Sequence, residues 1–337
     1  MTVHAPKPRR PTIYDVATRA GVSKSLVSLV LTNSPSVRPA KREAVMAAIQ
    51  ELDYRPSRAA TTLASRETKS IGLVIDDYRN LWFVGLLRGM QQELGPLGYQ
   101  VTVADSAAEA EPGKGTVERL LSMHLAGLVI AMEPRTSMLN PAWVPTVVAG
   151  WRDKVPAEAD LIANDDEAGG RLAASHLLDL GHTKIGHLTG SGGAAAHRRT
   201  GFHARTAESG IPLRLWGQGK GTTEEDGYQA ALALLEHFPD TTAIFAANDT
   251  MAVGAMAAIK ARSLSVPQDI SVLGYDNSPM AQSRYLDISS VDDRSEEVGI
   301  LTAQALLSRI ENPSRQPLRT LVQPRVISRG TTAPLTT

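Results

Sequence analysis

From residue 70 onward, short apolar runs alternate with segments of helical periodicity, and this alternation constrains the fold most. The pattern is typical of parallel strands joined by crossover helices, and one such helix is predicted at 82–94. The first series of runs is Ile71–Ile75, Gly98–Val103, Gly127–Ala131 and Thr146–Ala149. The second series is Lys184–Leu188, Ala243–Ala247 and Ile270–Gly274. We therefore predict two similar α/β lobes with parallel sheets and a ligand cleft between them.

The composition fits a globular protein of two or three domains. Of the 337 residues, 42% are hydrophobic and 21% are charged, which excludes collagen-like and wholly disordered chains. The chain contains no cysteine, so disulfides and thiolate metal sites are impossible and nothing requires an oxidising compartment. No apolar stretch approaches the roughly 20 residues of a membrane helix, and no apolar segment follows the basic start of the chain. We expect a soluble cytoplasmic protein with no membrane partner.

The formal net charge of zero conceals an uneven distribution of charge. Residues 1–66 carry 11 Lys and Arg against 4 Asp and Glu, whereas the remaining residues carry 24 against 31. A small basic module attached to a larger acidic body indicates a polyanionic partner such as nucleic acid. The alternative is a basic tail that its own charge merely keeps soluble.

Three short helices are predicted in the basic module. Thr12 can cap the first helix together with Asp15, in the reciprocal arrangement of a capping box. Gly21 can end that helix in the left-handed conformation, and Ser23 can cap the next one. A third helix is predicted to start near Pro39. Two short helices joined by a three-residue turn that contains glycine form a helix-turn-helix.

Four fragments of this module resemble, in order and spacing, the lactose-repressor (LacI/GalR) family of bacterial transcription regulators. The fragments are Thr12–Ala17, Ala20–Ser23, Val27–Ser28 and Tyr54–Pro56. The resemblance implies that the second helix enters the major groove of double-stranded operator DNA, where its first positions read base edges. It further implies DNA contacts from Thr12, Tyr14, Ser23, Lys24, Ser25, Ser28, Leu29 and Tyr54. A helical bundle without a DNA role is the alternative.

Two positions of the second helix depart from the family pattern. Leu26 stands where threonine is common, and Leu29 stands where arginine is common. A leucine side chain donates no hydrogen bond to a base, although it can pack on the methyl group of thymine. We therefore expect an operator preference that differs from the common half-site of the family.

A polar segment follows the helical head, which we assign to residues 1–56. Residues 57–69 resemble the hinge helix of the family, which orders on operator DNA, although composition alone indicates only a polar linker. The resemblance implies that Leu63 wedges into the minor groove, with Ser57 and Arg58 holding phosphate or groove edges beside it. We expect Leu63→Ala to weaken specific DNA binding more than nonspecific binding.

Residues 70–330 are similar to the effector-binding core of the same family, which resembles periplasmic sugar-binding proteins, and residues 331–337 form a tail. The fragments that carry this resemblance are His176–His182, Arg198–Phe202, Ala247–Gly254 and Ser271–Asn277. Family position and strand ends together give the candidate effector contacts Trp82, Phe83, Trp151, Arg198, Asn248 and Asp276. Each contact has a structural alternative, because a polar residue at a strand end can be a helix cap and an aromatic residue can be core.

Three positions of this region are unusual for the family. Gly221 and Thr222 occupy a stretch where many relatives carry an acidic and an aromatic residue, and Asp293 stands where glutamine is common. The effector therefore cannot be taken over from a well-known member. We expect a neutral or aminated sugar.

Two other functions compete with this interpretation. Residues Gly190–Ala195 fit a G-x-G-x-x-A dinucleotide fingerprint, but the next apolar run, Ile211–Trp216, ends without the acidic residue that would hold a ribose. A sugar- or nucleobase-binding receptor without a DNA role would have no use for the basic helical module. No nucleophile or metal motif stands out, so we predict no catalysis, no cofactor and no metal.

The sequence thus predicts a homodimeric transcription repressor. One helix-turn-helix makes too few base contacts for genomic selectivity, so two copies are expected on a pseudopalindromic operator. A ligand that closes the cleft would shift the lobes next to the hinge and so change the affinity for DNA.

Overall fold

The computed structural model describes residues 11–31, 34–54, 68–106, 114–134 and 144–335. The chain divides into two compact units, Met1–Thr68 and Lys69–Thr337, which we call the head and the body. The candidate hinge residues Ser57, Arg58 and Leu63 lie outside the described residues.

The head contains three helices, α1 Ile13–Ala20, α2 Lys24–Leu31 and α3 Pro39–Glu51. The predicted capping box is present, since the Asp15 backbone N–H donates to the Thr12 hydroxyl and the Thr12 backbone N–H donates to the Asp15 carboxylate. Gly21 ends α1 with a φ of 64°. Apolar side chains from all three helices pack into one cluster. The prediction of a helix-turn-helix is confirmed.

Two six-stranded sheets form the body. The first sheet contains β1 Ser70–Ile75, β2 Gln100–Asp105, β3 Gly127–Ala131, β4 Thr146–Ala149, β5 Asp160–Asn164 and β11 Arg319–Val322. The second contains β6 Ile185–Leu188, β7 Arg214–Trp216, β8 Ala243–Ala246, β9 Ser271–Tyr275, β10 Ser289–Asp292 and β12 Arg325–Ile327. Their strand orders are β2-β1-β3-β4-β5-β11 and β7-β6-β8-β9-β10-β12. Only the pair of β10 with β12 is antiparallel among the described strands.

Each sheet and its helices form one lobe, as predicted. The first lobe has the helices α4 Trp82–Leu94, α5 Lys114–Leu121 and α10 Ser295–Glu311. The second has α6 Asp166–Asp179, α7 Gly193–Glu208, α8 Glu224–His237 and α9 Asp249–Ala261. Buried apolar side chains from helices and strands fill separate cores in the two lobes. Within the described residues, no helix is long and apolar enough to span a membrane.

The chain passes between the lobes three times, and these crossings define where the lobes can move. The crossing segments are residues 164–166, 292–295 and 322–325. The first and third segments are bonded to each other, since Gln323 Nε2 donates to Asp165 Oδ2 at 3.0 Å. Three connections thus lie between the lobes, an arrangement typical of domains joined by a hinge.

The sequence patterns do not predict the strands β5, β10, β11 and β12. Strand β5 begins with Asp160 and ends with Asn164, so it lacks a purely apolar run although it is buried. Strands β11 and β12 have only three or four residues and are partly exposed. Strand β2 starts two residues later than predicted because Gly98 adopts a turn conformation with a φ of 78°.

Residues 331–335, which the sequence sets apart as a tail, are bonded to the second lobe. The Thr331 hydroxyl donates to the carbonyl oxygen of Val272 at 2.7 Å. The Leu335 backbone N–H donates to the carbonyl oxygen of Leu180 at 2.8 Å. In the structure these residues are part of that lobe.

Candidate functional site

The start of helix α2 presents a set of exposed side chains on the head. Lys24 and Ser25 occupy the first two positions of the helix, and Leu29 lies one turn further with 42% of its surface exposed. The Lys24 ammonium lies 5.2 Å from the ring centroid of Tyr14, which is itself exposed. The helix start therefore offers one cation, one hydroxyl and one apolar group to a partner.

The other candidate DNA residues of the head have structural roles that the structure defines. Thr12 caps α1, and Ser23 caps α2 by accepting the Leu26 backbone N–H at 3.2 Å. Ser28 is half-buried. Tyr54 is 6% exposed and packs in the apolar cluster of the head, and this burial raises the pKa of its phenol. Tyr54 is therefore a core residue here and not a member of the exposed set.

A cavity of about 570 Å³ lies between the two lobes of the body. Both lobes contribute to its lining, and the carboxyl ends of several parallel strands point toward it, as expected for open sheets. All the candidate effector contacts line it: Trp82, Phe83, Trp151, Arg198, Asn248 and Asp276. The structure thus brings together residues that are more than 190 positions apart in the sequence.

Arg198 lies at the centre of the polar wall of this cavity. Helices α6 and α7 cross closely because Gly170 and Gly201 leave no side chain between the two backbones. This approach brings the Arg198 guanidinium to Asp166, whose Oδ1 accepts from Nε at 2.8 Å. Nη1 donates to the carbonyl oxygen of Ala247 at 2.7 Å. Arg198 is 8% exposed, and hydrogen bonds hold its guanidinium from two sides.

Two further carboxylates face the same guanidinium. Asp276 Oδ1 lies 3.3 Å from Nη1 of Arg198, and Asp293 Oδ2 lies 4.0 Å from Nη2. Burial raises the pKa of Asp276 to about 8 and raises the pKa of Asp293 well above its ordinary value. Neither of these two oxygens accepts a hydrogen bond within the described residues. Three buried carboxylates, those of Asp166, Asp276 and Asp293, thus lie around the one Arg198 guanidinium.

The aromatic candidates connect the cavity with the crossing segments. Trp82 Nε1 donates to Asn164 Oδ1 at 3.1 Å, and Asn164 Nδ2 donates to the carbonyl oxygen of Asp293 at 2.5 Å. Trp82 and Phe83 are each 7% exposed, and their rings meet edge to face at 5.3 Å. Both residues therefore belong to the core of the first lobe as well as to the cavity wall.

Asn248 and Trp151 stand on opposite lobes. The Asn248 amide caps α9, since its Oδ1 accepts the Met251 backbone N–H at 2.8 Å, and its Nδ2 donates to the carbonyl oxygen of Thr222 at 3.1 Å. The Trp151 ring of the first lobe meets His197 of α7 at 4.5 Å between ring centroids. This contact joins the two lobes across the cavity.

Several polar residues of the cavity wall are absent from the predicted effector contacts, among them Asn164, Asp166 and Arg152. Asn164 is the last residue of the unpredicted strand β5 and Asp166 follows that strand, so no predicted strand end marked either residue. Arg152 donates from Nη2 to the carbonyl oxygen of Ala131 at 2.8 Å and lies at the end of the predicted strand β4. A strand-end position was therefore the available signal for Arg152.

The glycine-rich segment 190–195 forms the loop after β6 and the first turn of α7, and it lines the cavity. This strand–turn–helix arrangement is the one that a dinucleotide fingerprint requires. The next strand, β7, ends at Trp216 and is followed by Gly217 instead of an acidic residue. No cluster of His, Asp and Glu with metal-binding geometry occurs among the described residues.

Comparisons with known proteins find relatives of both the head and the body. Residues 12–57 match the profile "Bacterial regulatory proteins, lacI family", and residues 174–332 match "Periplasmic binding protein-like domain". The HTH-type transcriptional regulator CelR of Thermobifida fusca is 32% identical over 95% of this chain and 98% of its own. The Ribose operon repressor of Escherichia coli K12 is 32% identical over 95% of this chain and 99% of its own.

A solved structure matches almost the whole chain. The lac repressor dimer bound to operator and the anti-inducer ONPF superposes with a TM-score of 0.82 at 28% identity. The match covers 96% of this chain and 100% of the lac repressor chain. Similarity to these proteins extends over the head, the body and nearly the full length of the chain. The chain therefore belongs to the LacI family of bacterial regulatory proteins.

Proposed function

We propose that this protein is a homodimeric transcription repressor whose affinity for a pseudopalindromic operator is controlled by a small polyhydroxylated effector bound between the two lobes. The observation that carries the proposal is the cavity of about 570 Å³, in which a guanidinium, carboxylates and indole rings converge. Such a combination binds sugars, because hydroxyls pair with the charged groups and ring faces stack on indoles. The name of one relative, Ribose operon repressor, supports a sugar effector.

On the DNA side, the exposed start of α2 is the reading element. Lys24 can donate to guanine O6 and N7, Ser25 can pair with several bases, and Leu29 can pack on a thymine methyl. Tyr14 lies beside Lys24 and orients its ammonium through the ring face. Thr12, Ser23 and Ser28 are assigned to the DNA backbone near the helix ends. The hinge, with Ser57, Arg58 and Leu63, is assigned to the minor groove from the family resemblance.

In the body, Arg198, Asp276 and Asn248 are assigned to the polar substituents of the effector, and Trp82, Phe83 and Trp151 are assigned to the faces of its ring. Closing the cleft onto a ligand moves the lobes about the three crossing segments. The ligand can shift the equilibrium only by the difference between its affinities for the open and closed forms. That difference controls whether two heads of a dimer engage both half-sites.

This role requires no bond to be made or broken, so we propose a regulator that acts on DNA in the cytoplasm and not an enzyme. A nucleotide-binding enzyme is disfavoured by the end of β7, where Trp216 and Gly217 stand in place of a ribose-binding acid. A receptor without a DNA role is disfavoured by the family of the head.

The test is selection of duplexes from a random library with the purified full chain. We expect an inverted repeat to be enriched, and its affinity to fall on the order of 10³-fold between about 50 and 200 mM salt, because several phosphates are contacted. The matched control is the same chain with Lys24→Ala and Ser25→Ala. Enrichment of unrelated sequences without two-fold symmetry would contradict the proposal.

A further inference from the structure

Most of the charged side chains that line the cavity are acidic. The charged residues that line it are the carboxylates Asp76, Asp77, Glu133, Asp166, Glu224 and Asp276 and the guanidinium groups Arg79, Arg152 and Arg198. Acidic groups thus outnumber basic groups two to one before Asp293, which lies behind the wall, is counted. An anionic ligand would be repelled from such a cavity.

The basic groups of the wall are already engaged. Arg79 is paired with Asp77, with Nη2 to Oδ2 at 2.9 Å. Arg152 donates to two backbone carbonyls, those of Trp151 and Ala131, at 2.6 and 2.8 Å. The charge of Arg79 thus acts on Asp77, and the charge of Arg152 acts on Asp76, Asp166 and Glu133. Neither guanidinium is paired with Asp276.

Among the three carboxylates around Arg198, Asp276 is the one that is available to bind a ligand. Asp166 receives the short hydrogen bond from Nε, and Asp293 is fully buried and does not line the cavity. Asp276 lines the cavity, its side chain is 8% exposed, and its Oδ1 accepts no hydrogen bond within the described residues. Its backbone has a φ of 96°, a strained conformation for a residue other than glycine. Strain at this position is consistent with a carboxylate held for binding.

Resting on the proposed function, we infer that the effector carries a protonated amine that pairs with Asp276, which makes it an aminated sugar. An ammonium group supplies both the missing positive charge and up to three hydrogen-bond donors. An ammonium beside Asp276 also favours the ionised form of this carboxyl, whereas a hydroxyl in the same place supplies no charge.

Asp293 is a positioning residue that influences the preference for an aminated sugar through Arg198. Its carboxylate lies 4.0 Å from Nη2 of Arg198 and competes with Asp276 for the same guanidinium. A glutamine at this position would leave Arg198 free to compensate Asp276. The acidic side chain at position 293 therefore makes Asp276 selective for a cation.

The test measures binding of matched sugars to the full chain by isothermal titration calorimetry. The pairs are D-glucosamine with D-glucose and D-galactosamine with D-galactose, and N-acetyl-D-glucosamine keeps the nitrogen while removing its charge. We expect one aminated sugar to bind about tenfold or more tightly than its neutral partners, the difference that one charge-assisted hydrogen bond supplies. Equal or tighter binding of the neutral sugars would overturn this inference and leave the proposed function standing. If no sugar of either class binds, the proposed effector class is wrong and the inference fails with it.

Variants of Asp293 separate its charge from its packing. Asp293→Gln should reduce the preference for the amine about tenfold while the neutral sugar still binds, and Asp293→Glu should restore the preference. Asp240→Asn is the matched control, because Asp240 is an exposed carboxylate that pairs with Arg214 on the second lobe. An unchanged preference in a folded Asp293→Gln protein would contradict the role of Asp293.

Discussion

The Arg198 guanidinium and the Asp166 carboxylate meet at the closest approach of two helices of the second lobe, with Nε and Oδ1 2.8 Å apart. Asp166 is the first residue of α6, directly after the first crossing between the lobes. The pair therefore links the ligand cavity to a crossing segment between the two lobes. A second pair joins the same helices at the surface, where Arg171 Nη2 lies 2.7 Å from Glu208 Oε1.

These two pairs allow a matched stability experiment. Arg198→Met should lower the free energy of unfolding of the body by roughly 3–5 kcal/mol, because it leaves buried carboxylates without their cation. Arg171→Met removes an exposed pair between the same helices and should cost less than about 1 kcal/mol. Urea unfolding followed by circular dichroism measures both values. Similar losses for the two variants would show that the buried cluster does not depend on Arg198.

The pH dependence of stability should reveal the raised pKa of Asp276. Burial raises this pKa to about 8, so the folded protein holds a proton that the unfolded chain has already released at neutral pH. Rising pH therefore favours the unfolded chain. The contribution of Asp276 is fully present below about pH 4, where both states hold the proton, and is lost progressively as the pH rises to about 8. The ionisable groups that act on this carboxylate or share its cluster are Arg198, Asp166, Asp249, Asp293 and Tyr275.

We therefore expect the melting temperature of the wild-type protein to fall relative to that of Asp276→Asn between about pH 5 and pH 8. Each proton released contributes about 1.4 kcal/mol per pH unit to the slope. Comparing the two proteins cancels the titration of the shared groups that do not interact with Asp276. Parallel melting curves across this range would rule out a neutral Asp276 in the empty cleft.

Lys24 should contribute base-specific affinity. Replacing it with alanine should weaken binding to the selected inverted repeat by about 1–3 kcal/mol and should affect random DNA much less. Lys260→Ala is the control, because Lys260 is an exposed lysine at the end of a helix in the body. Fluorescence anisotropy with both duplexes measures the difference. An equal loss on both duplexes would mean that Lys24 contacts only phosphate.

Leu29 should determine which base the protein prefers at one position of the operator. Because leucine cannot donate to guanine, the base pair that faces it should show tolerance or a preference for thymine. Leu29→Arg should convert this position to a guanine preference without changing the outer positions of the half-site. Binding to duplexes varied at each position measures this. A strong guanine requirement in the wild-type protein would refute the assignment of Leu29.

Local signals in the sequence were sufficient for the head and for the strand–helix order of the body. The capping pair Thr12 and Asp15, the helix-ending Gly21 and the helix over Trp82–Leu94 all occur where the pattern predicts them. These features depend on neighbours in the chain, which a sequence displays directly.

Features that depend on long-range packing were not predicted. Asn164 and Asp166 become part of the cavity because β5 lies buried between two other strands. The sequence pattern does not predict this strand, because its first and last residues are polar. Tyr54 matches a family motif, but whether its phenol is exposed depends on how three helices pack around it. Asp293 was identified as unusual, yet its closeness to Arg198 follows from the second crossing between the lobes.

The central claim is that a ligand in the cleft of the body controls how firmly the head holds DNA. The most direct measurement is the dissociation constant for the selected inverted repeat against random competitor, with and without the sugar that binds most tightly. We predict a clear preference for the repeat and a change of about 5- to 150-fold on adding the sugar, with that change lost in Asp276→Asn. A protein that does not distinguish the repeat from competitor, or whose distinction is the same with the cleft occupied and empty, would contradict the claim.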